Sequence, residues 1–133
     1  MNSPAKDMAD LICLSSSPIS VIGFGVDVFV GMLPQTPIEC VTFYNTNGWS
    51  SAANYTYERP TIQALVRTSS YEAGYALAHA IKTHLHGQNG VTINNARYIQ
   101  ILAEGDVVDL PPEETKQHRL FSINFAAHRT IAT

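Results

Sequence analysis

Apolar residues recur along this chain with two different periods, and the places where the period changes mark its elements. Behind Ser3-Pro4, a pair suited to open a helix, Met8, Leu11 and Ile12 fall at helical spacing, so a short amphipathic helix is predicted over about residues 4–16. Pro18 pushes the preceding residue out of helical geometry and ends it. The segment 21–30, VIGFGVDVFV, is interrupted by glycine and predicts a bend followed by a strand over about 26–32. A Pro-marked turn, LPQTP, leads into IECVTFYN, a strand over 38–45. Residues 46–57, TNGWSSAANYTY, are polar and read as a long loop, a length that is often functional in compact domains.

The next stretch, ERPTIQALVR over 58–67, alternates strictly. Ile62, Ala64 and Val66 make an apolar face, while Arg59, Thr61, Gln63, Leu65 and Arg67 furnish the other. That second face is either solvated or meets another chain, and Pro60 near the strand start fits both. After it, SSYEAGYALAHAIKTHLHG predicts the main helix, about 70–86. Ser69 and Glu72 are read as a capping box, with Tyr71, Gly74, Tyr75, Ala78, Ile81 and Leu85 on one side and Gly87 as the stop. Gly74 in mid-helix costs about 1 kcal/mol against Ala, which points to close packing on a sheet. VTINNARYIQILAE predicts a hairpin turning at Asn94-Asn95, with Ile99, Ile101 and Ala103 along one face. GDVVDLPPEETKQHR reads as an acidic loop, and RLFSINFAAHR as a closing strand with Phe121, Ile123 and Phe125 inward. The order helix, strands, helix, strands predicts a single α+β domain over residues 1–133. Its expected form is a two-layer sandwich, a mainly antiparallel sheet with two helices on one face.

Composition narrows function mainly by exclusion. A chain of 133 residues fits one domain that buries roughly two-thirds of its unfolded surface. Charged residues are 14%, against a usual quarter, which suggests that part of the surface is covered in use. A net charge of −3 gives no basic footprint for gripping phosphates. No apolar run has the length of a membrane span, and the start, MNSPAKDMADLICL, lacks the pattern of a signal peptide. Cys13 and Cys40 form no CxxC and no zinc-finger spacing, so two reduced thiols in a cytoplasmically made chain are expected.

Candidate chemistry is sparse. His79 and His86 share a helix face but lie roughly 10 Å apart, and His84 points elsewhere, so no single ion is held and His84 and His86 are read as complements to the helix C-terminus. No GxSxG, P-loop or dinucleotide loop is present. The acids Glu104, Asp106, Asp109, Glu113 and Glu114 lack calcium-loop spacing. No catalytic residue, metal ligand or cofactor is expected. The aromatic residues Trp49, Tyr55 and Tyr57 are either interface anchors or fold back on their own core, and the sequence leaves both open.

Beyond these readings, the chain from about Gly31 to Arg129 resembles the bacteriophage tail terminator family, among the minor capsid and head–tail joining proteins. GMLPQTPIECVTFYNTNG is similar to the family's first hairpin. YERPTIQALVRTSSYEAGYALAHAIKTHLHG resembles its most recognisable block, an ERP-x-hydrophobic-Q strand, an Arg, a Ser-Tyr-acid cap and a helix closing on Leu-His-Gly. VTINNARYIQILAEGDVVDL and RLFSINFAAHR are similar to the later strands. One departure stands out: GDVVDLPPEETKQHR has no Gly before Arg119. The resemblance implies a non-enzymatic virion protein, assembled in the host cytoplasm and located in the tail or neck. It implies a homohexameric ring that caps the tail tube and meets the head connector. The partners implied are further copies of itself, the major tail tube protein and neck proteins, with DNA passing through and no membrane. Arg59, Gln63, Arg67, Trp49, Tyr55, Tyr57, Asp106, Asp109, Glu113 and Glu114 are the candidate contacts, with Arg59 and Arg67 expected to pair with the acidic segment of a neighbour. The alternatives are another neck protein, of head-completion or stopper type, and a small oligomeric α+β enzyme or ligand-binding domain.

Overall fold

A computed structural model describes residues 2–14, 17–19, 21, 23–49, 57–111 and 118–131. Its elements are helix α1 (Pro4–Cys13), strands β1 (Val28–Val30), β2 (Cys40–Trp49) and β3 (Tyr57–Thr68), helix α2 (Tyr71–Leu85), and strands β4 (Gln88–Ile93), β5 (Ala96–Ala103), β6 (Val108–Leu110) and β7 (Arg119–Ile131). The strands join in the order β1-β2-β3-β7-β5-β4, and β6 pairs with β7 beyond the end of β5. The α+β class and the two helices on one face are as expected. The sheet, however, is mixed and curls into a half-barrel, because β1 runs parallel to β2 while the other pairs are antiparallel. The expected mainly antiparallel sheet is therefore found in part: five of its six pairs are antiparallel, and the parallel β1 and the half-barrel curl depart from a two-layer sandwich. The chain reaches β2 by folding 31–39 back along the sheet, so the two strands start side by side.

Each helix is started by the side chain that its sequence provides. Ser3 caps α1, its Oγ accepting the Lys6 N–H at 3.2 Å, and Pro4 occupies the first turn, where a missing N–H costs nothing. The helix stops at Cys13, short of the expected residue 16, as Leu14 turns extended. For α2 the cap is Ser70, which accepts the Ala73 N–H, and not the predicted Ser69–Glu72 box. Ser69 is taken by Glu39, whose Oε1 accepts its N–H at 3.0 Å and its hydroxyl at 2.7 Å. Gly74 meets the sheet as anticipated: a Cβ there would collide with Thr68 Oγ1 and the Phe121 ring.

The core lies between the helices and one sheet face. Met8 and Ile12 from α1 and Ala78, Ile81 and Leu85 from α2 pack on Phe43, Ile62, Ala64, Val66, Phe121, Ile123 and Phe125. The alternation predicted for 58–67 is observed, with Ile62, Ala64 and Val66 fully buried. Around this core several sequence boundaries move. The predicted strand 26–32 shrinks to β1, because Gly23 accepts N–H groups from Val26, Asp27 and Val28 in a turn that Asp27 also caps. The predicted loop 46–57 begins and ends as strand: β2 continues to Trp49 and β3 begins at Tyr57, with one extra β2 residue between Asn45 and Gly48. Only 50–56 lies between them, outside the described residues. The acidic loop likewise contains a strand, β6, laid on β7.

The hairpin turns at Asn94 and Asn95, both at positive φ (50° and 65°), the left-handed pair that a two-residue turn requires. Its inner face differs from the expectation. Between Tyr98 and Gln100 the register against β7 slips by one residue. The extra residue is Ile99, which stays 45% exposed, while Tyr98 and Ile101 both point inward. A bulge inverts the alternation beyond it, so a strict period of two misassigns Ile99.

Candidate assembly surfaces

The sheet has a second face that neither helix covers. Across β2, β3 and β7 its residues stand in register, Tyr44 beside Gln63 beside Asn124 and Thr42 beside Leu65 beside Ser122. These side chains are polar or apolar but uncharged. Gln63 is half-buried among them, and Arg59 is exposed on the same face, paired across from Trp49.

Arg67 occupies the same face but has a different occupation. It is buried, and its guanidinium donates to three backbone carbonyls of the segment before β2: Nε to Ile38 at 3.0 Å, and Nη2 to Pro37 at 2.8 Å and to Pro34. The planar fork satisfies carbonyls that no ladder reaches, so Arg67 shapes the 34–38 turn from within. Alternation alone puts it beside Arg59; the fold separates them.

The acidic segment also finds partners within the chain. Lys82 donates to Asp106 Oδ1 at 3.0 Å, and the Val107 N–H does so at 2.8 Å, which together hold that carboxyl below its ordinary range. Asp109 Oδ2 accepts the Tyr71 hydroxyl at 2.7 Å, pushing the phenol up. The described candidates thus fall into two places, Arg59 and Gln63 on the uncovered face, and Asp106 and Asp109 beside α2. Tyr55, Glu113 and Glu114 lie outside the described residues, as do the side chains of Trp49 and Tyr57.

One polar cluster escaped the sequence reading. Asp7 is buried, its Oδ2 accepting the Tyr98 hydroxyl at 2.5 Å and Arg129 Nη1 at 3.3 Å, its Oδ1 accepting Asn94 Nδ2 at 2.9 Å. Arg129, also buried, reaches Glu58 Oε1 at 3.4 Å through Nη2, while its Nε has no partner. Burial raises the Asp7 pKa more than the bonds from Tyr98, Asn94 and Arg129 lower it. For Arg129 burial opposes the cation, but Tyr98, Glu58 and Asp7 outweigh it and leave the guanidinium more firmly charged. The cluster ties α1 to β3, β5 and β7. Its members lie as far as 122 residues apart, so no local spacing announces it.

Two clefts bear on possible chemistry. A cleft of about 200 Å³ lies between Tyr71, Asp109, Arg119 and Phe121, and another of about 200 Å³ beside Asp27, Glu39, Cys40 and Thr68. Both fall below the few hundred Å³ of ordinary ligand sites. In the first, the acid is already engaged by the phenol; in the second, burial pushes the Cys40 thiol up, away from the nucleophilic thiolate. Among the described residues no group of three His, Cys, Asp or Glu gathers as a metal site. The histidines serve local ends. His79 stacks on Tyr75, and His86, at the end of α2, accepts the Ala103 N–H at 2.9 Å through Nδ1. His86 thus stands at the α2 C-cap while its ring also ties the helix end to β5.

The described residues thus form an α+β domain whose two helices cover one face of a curled mixed sheet. Comparison with known proteins adds the family. The profile described as bacteriophage tail terminator protein matches residues 10–131, and the chain belongs to that family, as a structural component of the virion. No curated protein matches it. Among solved structures, a chain from the virion of a native gene transfer agent particle has the same fold, with a TM-score of 0.60 and 14% identity over 80% of each chain.

Proposed function

We propose that the chain is a non-enzymatic tail terminator whose copies close into a homohexameric ring, capping the finished tail tube and presenting it to the head connector. The family match over residues 10–131 carries this reading. The surface is consistent with it. The sheet face that no helix covers, with half-buried Tyr44, Gln63 and Leu65 and exposed Asn124 and Arg59, is suited to meet the next component of a stack, and Gln63 and Arg59 are its first contacts. The net charge of −3 suits a channel wall that lets DNA pass without holding it. A ring built this way acts by geometry alone, matching the tube on one side and the neck on the other, and needs no cofactor.

Light scattering of the purified chain, alone and with the major tail tube protein, followed by electron microscopy, tests the reading. Closed rings, free or at tube ends, are expected. A chain that stays monomeric and never appears at tube tips would refute it. Arg59→Glu is expected to leave the fold intact and weaken attachment to the tube or neck; unchanged attachment at physiological salt would remove Arg59 from the contact.

A further inference from the structure

The two ends of the sheet are unlike each other, and their differences are complementary. At one end β4, QNGVTI, is a six-residue edge strand without Lys, Arg, Asp, Glu or Pro, the residues that ordinarily blunt an exposed edge. The two-residue turn after Ile93 directs the N–H and C=O of Ile93, Val91 and Asn89 to β5, so those of Thr92 and Gly90 face outward. Gly90, at φ +64°, stands opposite the bulged Ile99 and leaves it open. A Cβ at Gly90 would lie 3.8 Å from Arg97 Nη2, so the guanidinium leans over the edge strand. Among the described residues the Arg97 side chain has no hydrogen bond or ion pair.

At the other end, the Gly23–Asp27 turn closes the start of the β1 edge, Gly25 donating to Val28 O at 2.8 Å. Val30 remains with its N–H and C=O directed away from β2. In the segments that flank β1 and lead into β2, Phe24, Val26, Met32 and Ile38 are between 40% and 57% exposed. Asp27 and Glu39, next to Val26 and Ile38 in the chain, carry negative charge at this end of the sheet and line a cleft with Cys40 and Thr68.

We propose that the free β4 edge of one copy docks on the β1 end of a second copy, continuing the sheet from subunit to subunit. This rests on the ring reading above and specifies how such a ring closes. The contact is heterologous, since each copy offers an open edge with Arg97 and Ile99 at one end and an acidic, apolar end at the other. Repeated head to tail, it generates a ring. Arg97 meets Asp27 and Glu39, Ile99 covers part of these exposed apolar residues, and Thr92 and Val30 supply the backbone bonds.

Assembly of the full chain measured by light scattering against concentration tests it, with circular dichroism to verify folding. Thr92→Pro removes an outward N–H and is tolerated at an edge, and Arg97→Glu reverses the charge; each is expected to raise the assembling concentration about tenfold or more. Glu39→Lys alone is expected to do the same, and the Arg97→Glu/Glu39→Lys double variant to recover most of the loss. Rings that form from the folded Thr92→Pro and Arg97→Glu variants at the wild-type concentration overturn the edge contact and leave the ring reading standing. A double variant no better than its parents overturns the charge pairing. A wild-type chain that forms no ring, alone or on tubes, overturns the ring reading and this contact with it.

Discussion

The Tyr98 hydroxyl lies 2.5 Å from Asp7 Oδ2, joining a buried strand residue to a buried helix residue 91 positions away. The bond satisfies a carboxyl that also takes Asn94 and Arg129, and it anchors α1 to the sheet. Tyr98→Phe removes this donor and leaves the Asp7 oxygen buried with a poorer set of partners. The expected loss is about 1–3 kcal/mol of unfolding free energy, read from urea midpoints. An unchanged midpoint would mean that Arg129 and Asn94 suffice.

Asp7 makes stability depend on pH with a definite sign. Its pKa is raised in the folded state, so the folded chain holds this proton more tightly than the unfolded chain. The resulting stabilisation is complete below the unfolded pKa and is lost as pH rises through the folded one. Relative to Asp7→Asn, the wild type should lose stability as pH is raised from about 3 to about 7 in parallel urea titrations. A difference that moves the other way would show that Arg129 outweighs burial.

At Gly74, α2 lies too close to β3 and β7 to admit a Cβ, which would meet Thr68 and Phe121. Gly74→Ala gains about 1 kcal/mol of helix propensity but drives a methyl into buried neighbours, a strain of about 1–3 kcal/mol. Net destabilisation is expected in thermal melts. A stabilised variant would show that the Phe121 ring can give way.

Arg67 holds three carbonyls of the 34–38 segment with one guanidinium. A Lys ammonium cannot reproduce the planar fork, so Arg67→Lys is expected to cost about 1.5–3 kcal/mol. Hydrogen exchange around residues 38–40 should quicken more than in the α2 helix. Equal change in both would point to global loss and not to a local clamp.

Sequence and structure agree where information is local. The Ser3-Pro4 start, the alternation of 58–67, the Asn94-Asn95 turn and the Gly74 contact all follow from one residue's conformational preference or one element's period. The order and spacing of the ERP strand and the capped helix were enough to reveal the family. Disagreements arise where a distant group competes. Glu39 captures Ser69 and moves the α2 cap to Ser70. A bulge against β7 turns Ile99 outward, and pairing with β7 makes a strand of Val108–Leu110.

By itself, then, the sequence determined the α+β class, most of the elements and the apolar face of β3, because periodicity and capping are written within a few residues. The tertiary structure alone decided that β1 runs parallel, that Arg67 is buried while Arg59 is exposed, and that Asp7, Tyr98, Arg129 and Glu58 share one cluster. A buried charge must find its partners wherever folding brings them, and separation along the chain carries no trace of that meeting.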